Sequence, residues 1–90
     1  MTVRVRIHPF LRKLTGGREV VEVQGETVGE CLENLEAEFP GIKQQICDPE
    51  GNLVDPWEIY VNSSSSHPEG LAKPVQDGDE LAIMALILGG

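Results

Sequence analysis

Three groups of residues in this 90-residue chain could do chemistry. The first is the ending. Gly89 and Gly90 follow directly on the apolar run Leu81-Ala82-Ile83-Met84-Ala85-Leu86-Ile87-Leu88. Glycine has no Cβ and lets another backbone approach closely, so a slender end carrying one carboxylate could thread into a partner enzyme's narrow site and react there. With glycine near 7% of average usage, such a pair at one fixed place is roughly a one-in-200 accident. The second group is Ser63 to Ser66 beside His67. A Ser–His nucleophile needs an elbow and an orienting acid, and none is assignable here, so this stretch reads as an exposed loop. The third is His8 and His67 with Cys31 and Cys47, which show no metal-ligand spacing, so no metal is expected. Cys31 falls on an apolar helical stripe and reads as core; a redox role stays open for Cys47.

The elements that must position the ending follow from pattern. Val3, Val5 and Ile7 alternate with Arg4, Arg6 and His8, which predicts a half-buried strand over 2–8. Pro9 ends it, and Phe10 to Leu14 leads to the turn Thr15-Gly16-Gly17. Arg18 to Gln24 reads as the returning strand of a hairpin. Thr27 and Glu30 form a capping-box signature, followed by the stripe Val28, Cys31, Leu32, Leu35 and Phe39. Pro40-Gly41 stops that helix. Ile42 to Cys47 fits either a short strand or a turn of helix. Trp57 to Asn62 reads as a strand, Asn62 to Pro68 as a loop, and Gln76-Asp77-Gly78-Asp79 as a turn before the last strand. One amphipathic helix needs one apolar sheet face to cover. The simplest closure sets the first and last strands parallel at the centre, which accounts for Leu81 to Ala85. Leu86 to Leu88 would then run past the sheet, and with Phe10, Ile83 and Ala85 they are expected to form an apolar docking patch.

Size and charge narrow the function. Ninety residues make one domain with little room for an internal cleft, which favours a carrier, binding module or subunit over a stand-alone enzyme. A net charge of −8 argues against nucleic acid as a ligand. The longest apolar run is too short to span a bilayer. Two cysteines without C-x-x-C spacing, and no signal peptide, fit a reducing cytoplasm.

Taken in order, several short pieces resemble one family. They are Phe10-x-x-x-Leu14-Thr15-Gly16-Gly17, then Thr27-Val28-x-x-Cys31-Leu32-x-x-Leu35, then Phe39-Pro40-Gly41 and Tyr60-Val61-Asn62. Gln76-Asp77-Gly78-Asp79-Glu80-Leu81-Ala82 and the final Gly89-Gly90 complete the series. The chain is similar, along its whole length, to the ubiquitin-like β-grasp sulfur carriers. These include the small subunit of molybdopterin synthase, the thiamine-biosynthesis sulfur carrier, and carriers serving amino-acid synthesis.

The resemblance implies an α+β, β-grasp fold: a mixed sheet of four to five strands covered by one main helix, a single domain over 1–90 with a flexible tail at 86–90. It implies a carrier that is not itself an enzyme and binds no cofactor. A ubiquitin-activating-like adenylyltransferase would use ATP to adenylate Gly90, with Gly89 as the slender neck. A persulfide enzyme would supply sulfur, leaving a thiocarboxylate on Gly90. Phe10, Leu86, Ile87 and Leu88 would dock the partners. The acceptor would be the large molybdopterin synthase subunit, a sulfhydrylase or a thiazole synthase; the opening motif and the length favour the molybdopterin branch, with cysteine, homocysteine or another thio-metabolite as the alternative. A protein modifier joined through Gly90, and a non-catalytic ubiquitin-like interaction domain, are the readings from other classes. The chain departs from the family pattern at Asn62-Ser63, where Asn-Gly is common, and at Ala85 to Leu88, where a proline is frequent.

Overall fold

A computed structural model describes residues 1–66 and 69–86. The alternating apolar residues of the opening hairpin form β1 (Thr2–Arg6) and β2 (Val20–Gln24), paired antiparallel with Val3 opposite Val23 and Val5 opposite Val21. Between them Pro9–Thr15 coils into a 3-10 helix that the sequence had not announced. Proline suits its first turn because φ is preset and no N–H is needed there. The helix turns Leu11 and Thr15 inward and ends at Gly16, whose φ of 66° is the left-handed conformation that glycine adopts without strain.

The long helix α1 (Val28–Glu38) starts where the capping signature stands. The Thr27 side chain accepts from the Glu30 N–H at 3.1 Å, and the Glu30 carboxylate accepts in turn from the Glu26 N–H at 3.0 Å. Val28, Cys31, Leu32 and Leu35 are buried along its inner stripe. Gly25, just before it, is required by packing: a Cβ there would lie 2.6 Å from Cys31 Sγ and 2.9 Å from Cys31 N. The undecided segment after Pro40-Gly41 is a short helix, α2 (Ile42–Ile46), with Ile42 and Ile46 buried. The two oxygens of Glu36 accept from the Gly41 and Lys43 N–H groups at 2.9 and 2.8 Å, which ties the helices together. Those two bonds hold the Glu36 carboxyl below its ordinary range.

The sheet is completed by β3 (Trp57–Val61), β4 (Ser64–Ser65) and β5 (Glu80–Ala85), in the order β2-β1-β5-β3-β4. As expected, β1 and β5 are parallel neighbours at the centre, with Val5 opposite Leu81. β5 also pairs antiparallel with the whole of β3, from Val61–Leu81 to Trp57–Ala85. Val3, Val5, Val21, Val23, Ile59, Val61, Leu81 and Ile83 face the helices and form the core with them. This is the β-grasp arrangement.

The serine stretch differs from the expected exposed loop. Asn62 and Ser63 both have positive φ, 50° and 74°, and close a two-residue hairpin between β3 and β4. Such turns ask for left-handed residues at both centres. Ser66 is buried: its N–H donates to the Ile59 carbonyl at 2.9 Å and its hydroxyl pairs with Glu58 Oε1 at 3.2 Å. Serine composition alone does not separate a solvated loop from a short edge strand followed by a buried serine whose hydroxyl is paired within the fold.

Candidate functional site: where the last strand leaves the sheet

The end of β5 is the place from which the glycine pair must depart. Ala85, the last strand residue, lies opposite Trp57. One residue further, the Leu86 N–H donates to the Pro56 carbonyl at 2.6 Å. Leu86, the first residue of the expected tail, lies just past the end of β5 and makes this one further backbone bond beside β3. Its side chain is 47% exposed.

An aromatic rim stands beside this exit. Trp57 is half-buried against the core, and the His8 ring meets it edge-on, with centroids 5.2 Å apart at 89°. Phe10 meets His8 in turn at 4.6 Å and 67°. His8 Nδ1 accepts from the Phe10 N–H at 3.1 Å and so caps the first 3-10 helix. Pro9 opens the 3-10 helix, Leu11 anchors the turn in the core, and Phe10 is left 64% exposed at the rim.

The docking residues named from sequence therefore divide. Phe10 and Leu86 are exposed as expected, linked through His8, Trp57 and Pro56. Ile87, Leu88, Gly89 and Gly90 lie outside the described residues. Ile83, expected in the same patch, is instead 1% exposed and part of the core. Strand alternation is the reason: Leu81 and Ile83 face the helices, which turns Ala82 and Met84 to the open face. Met84 and Val20 are the exposed apolar residues of that face which the sequence reading missed. The alternation starting at Glu80 carried the signal for Met84.

Charges on the open face sit lower on the strands. Arg4 and Arg6 reach Glu80 at 3.8 and 3.4 Å. Near the rim, Arg12 donates through Nε to the Ile7 carbonyl at 3.2 Å and pairs with Glu19 at 3.6 Å. The other candidate chemistry is quiet. Cys31 and Cys47 are both buried free thiols, pushed above the ordinary thiol range mainly by burial, which disfavours the reactive thiolate. Among the described residues, no three His, Cys, Asp or Glu side chains could hold a metal ion. No helix of these residues is long and apolar enough to cross a membrane.

The fold and this exit define a ubiquitin-like β-grasp domain with an exposed apolar rim at the end of its last strand. The chain belongs to the ThiS family, whose model matches residues 5–90. It is similar to the sulfur carrier protein CysO of Mycobacterium tuberculosis, at 38% identity over 93 residues covering 100% of both chains. It is similar to small archaeal modifier protein 3 of Haloferax volcanii, at 27% identity and 100% of both chains. Among solved structures, a chain of the Amycolatopsis orientalis BexX/CysO complex superposes with a TM-score of 0.90 at 37% identity, covering 98% of this chain and 99% of that one.

Proposed function

We propose that this protein is a sulfur carrier whose reacting group is the carboxylate of Gly90. An activating enzyme directs a carboxylate oxygen at the α-phosphate of ATP; the oxygen–phosphorus bond forms and pyrophosphate leaves. A persulfide sulfur then attacks the acyl carbon and AMP departs. A thiol reduces the resulting acyl disulfide, leaving the thiocarboxylate. The sequence of steps has a physical reason. A carboxylate is a poor acyl donor until its oxygen has become a leaving group, and a thiocarboxylate is a strong sulfur nucleophile that stays tethered. Gly89 gives the end its slenderness, and Phe10, Leu86, Ile87 and Leu88 dock the partners.

The observation that carries this reading is that the family match runs through the glycine pair to residue 90. The full-length similarity to a protein named as a sulfur carrier supports it. That similarity also favours an acceptor in cysteine synthesis over the molybdopterin branch that the opening motif and length had suggested. The solved complex of a CysO with a second protein, BexX, supports docking as the working state. A second reading, attachment to target proteins through Gly90, is favoured by the relative named as an archaeal modifier.

Sulfur-labelled carrier tests the acceptor. Incubated with a sulfhydrylase and its activated amino-acid substrate, it should pass label to an amino-acid thiol. Label passing only to a molybdopterin precursor, on the large synthase subunit, would overturn the cysteine assignment. Isopeptide-linked Gly-Gly on other proteins, without label in small molecules, would favour the modifier.

A further inference from the structure

The Leu86 N–H bond to Pro56 has a consequence for the partner. It lies beyond the last strand pair, Trp57–Ala85, and continues the β3–β5 register by one more backbone bond. The segment that accepts it is itself anchored. The Trp57 N–H donates to the Val54 carbonyl at 2.9 Å, and the Val54 N–H to the Ile46 carbonyl at 3.0 Å. Ile46 is fully buried and Trp57 packs on the core. A pull on the chain beyond Leu86 is thus resisted by a series of bonds leading to α2, whereas a strand that simply ended in solvent would peel.

We propose that Pro56 and Trp57 act as positioning residues that clamp the carrier at Leu86 and so fix the reach of its reacting end. The inference rests on the reading of Gly90 as the reacting residue. Four residues follow Leu86 in the sequence. An extended chain spans at most about 3.6 Å per residue, so the carboxylate can lie no more than about 14 Å from the clamp. A partner that docks on the rim must hold its reacting phosphorus or acceptor atom within that depth. Placement of the reacting atoms to within about 1 Å governs rate, and a clamped origin makes residue count a determinant of rate.

Amide exchange and tail length test the clamp. In the free full-length protein, the Leu86 amide should exchange at least about tenfold more slowly than in a peptide of the tail sequence. Exchange at the peptide rate would overturn the proposal. On the activating enzyme, deletion of Leu88 should lower kcat/KM for thiocarboxylation by about 100-fold. Leu88→Ala, which keeps the length, should lose clearly less. Equal losses in the two variants, or full activity of the shortened chain, would mean that length is not counted from Leu86 and would also overturn it. The thermal midpoints of both variants should match the parent, because the changes lie beyond the clamp. If the unaltered chain acquires no thiocarboxylate, the reading of Gly90 fails, while the Leu86 exchange rate still decides whether the clamp exists.

Discussion

The two ends of β5 contrast in what they do with polar and apolar groups. At its start, loops are tied to strands by side-chain hydrogen bonds. Asp77 Oδ1 accepts from the Thr2 N–H at 2.8 Å, and Asp79 accepts from Asn62 Nδ2 at 3.0 Å and the Gln76 N–H at 2.8 Å. Asn62 Oδ1 accepts from the Glu80 N–H at 3.0 Å. At the other end stand the rings of His8, Phe10 and Trp57 and the exposed Leu86 side chain. One end satisfies its own backbone and leaves little for a partner. The other presents apolar surface that burial in a partner would stabilise, at about 25 cal/mol per Å² removed from water. The contrast teaches that polar groups paired within the fold and apolar surface left open to a partner are assigned to opposite ends of the same central strand.

The largest expected effect lies at the open end. Leu86→Asp puts a charge on the proposed docking surface and should abolish adenylation while circular dichroism and the thermal midpoint stay near the parent's. Unchanged adenylation would remove Leu86 from the interface. At the tied end the expected effects fall on stability and spare function. Asn62→Ala removes two side-chain bonds and a residue that tolerates positive φ, and should cost about 1–2 kcal/mol in urea unfolding. A loss of adenylation out of proportion to that cost would break the division between the ends.

The same end should respond to acid. The bond from Asn62, and then that from the Gln76 N–H, hold the Asp79 carboxyl below its ordinary range; away from that end, at the α1–α2 junction, the bonds from Gly41 and Lys43 do the same for Glu36. A carboxyl depressed in the folded state stabilises above its unfolded pKa, near 4, and that contribution is lost as pH falls through the folded value. Stability measured by urea unfolding should therefore hold from neutral pH to about 5 and then decline. Asn62→Ala should shrink the decline, because it removes the main cause of the Asp79 shift. The smallest expected effect is at Ser63, whose φ of 74° is left-handed. Ser63→Gly should stabilise by about 0.5–1 kcal/mol in the same assay, with adenylation unchanged.

Much of the tied end was legible in the sequence, and less of the open end. The Asp-Gly-Asp turn, the Thr27–Glu30 cap and the helical stripe are local signals, set by residues within a few positions of one another. So is the alternation that marks β1 and β2. The rim is not local. His8, Phe10, Trp57 and Leu86 come from three separate stretches, joined only once β5 is inserted between β1 and β3. The patch drawn from sequence included Ile83 because an all-apolar strand does not reveal which side faces the helix. Glu80 at its start is the one polar mark of the open face, and the register with Ile59 sets Ile83 in the core. The Leu86–Pro56 bond is a backbone contact and carries no side-chain signature.

Gly90 is proposed as the residue that carries sulfur. Intact-mass spectrometry of the full chain, after incubation with its activating enzyme, ATP, a persulfide donor and a thiol, tests it most directly. A mass gain equal to one oxygen-to-sulfur exchange, localised by fragmentation to Gly90 and absent without ATP, is expected. An unchanged mass with an activating enzyme that consumes ATP on a known carrier, or sulfur located on Cys31 or Cys47 instead, would contradict it.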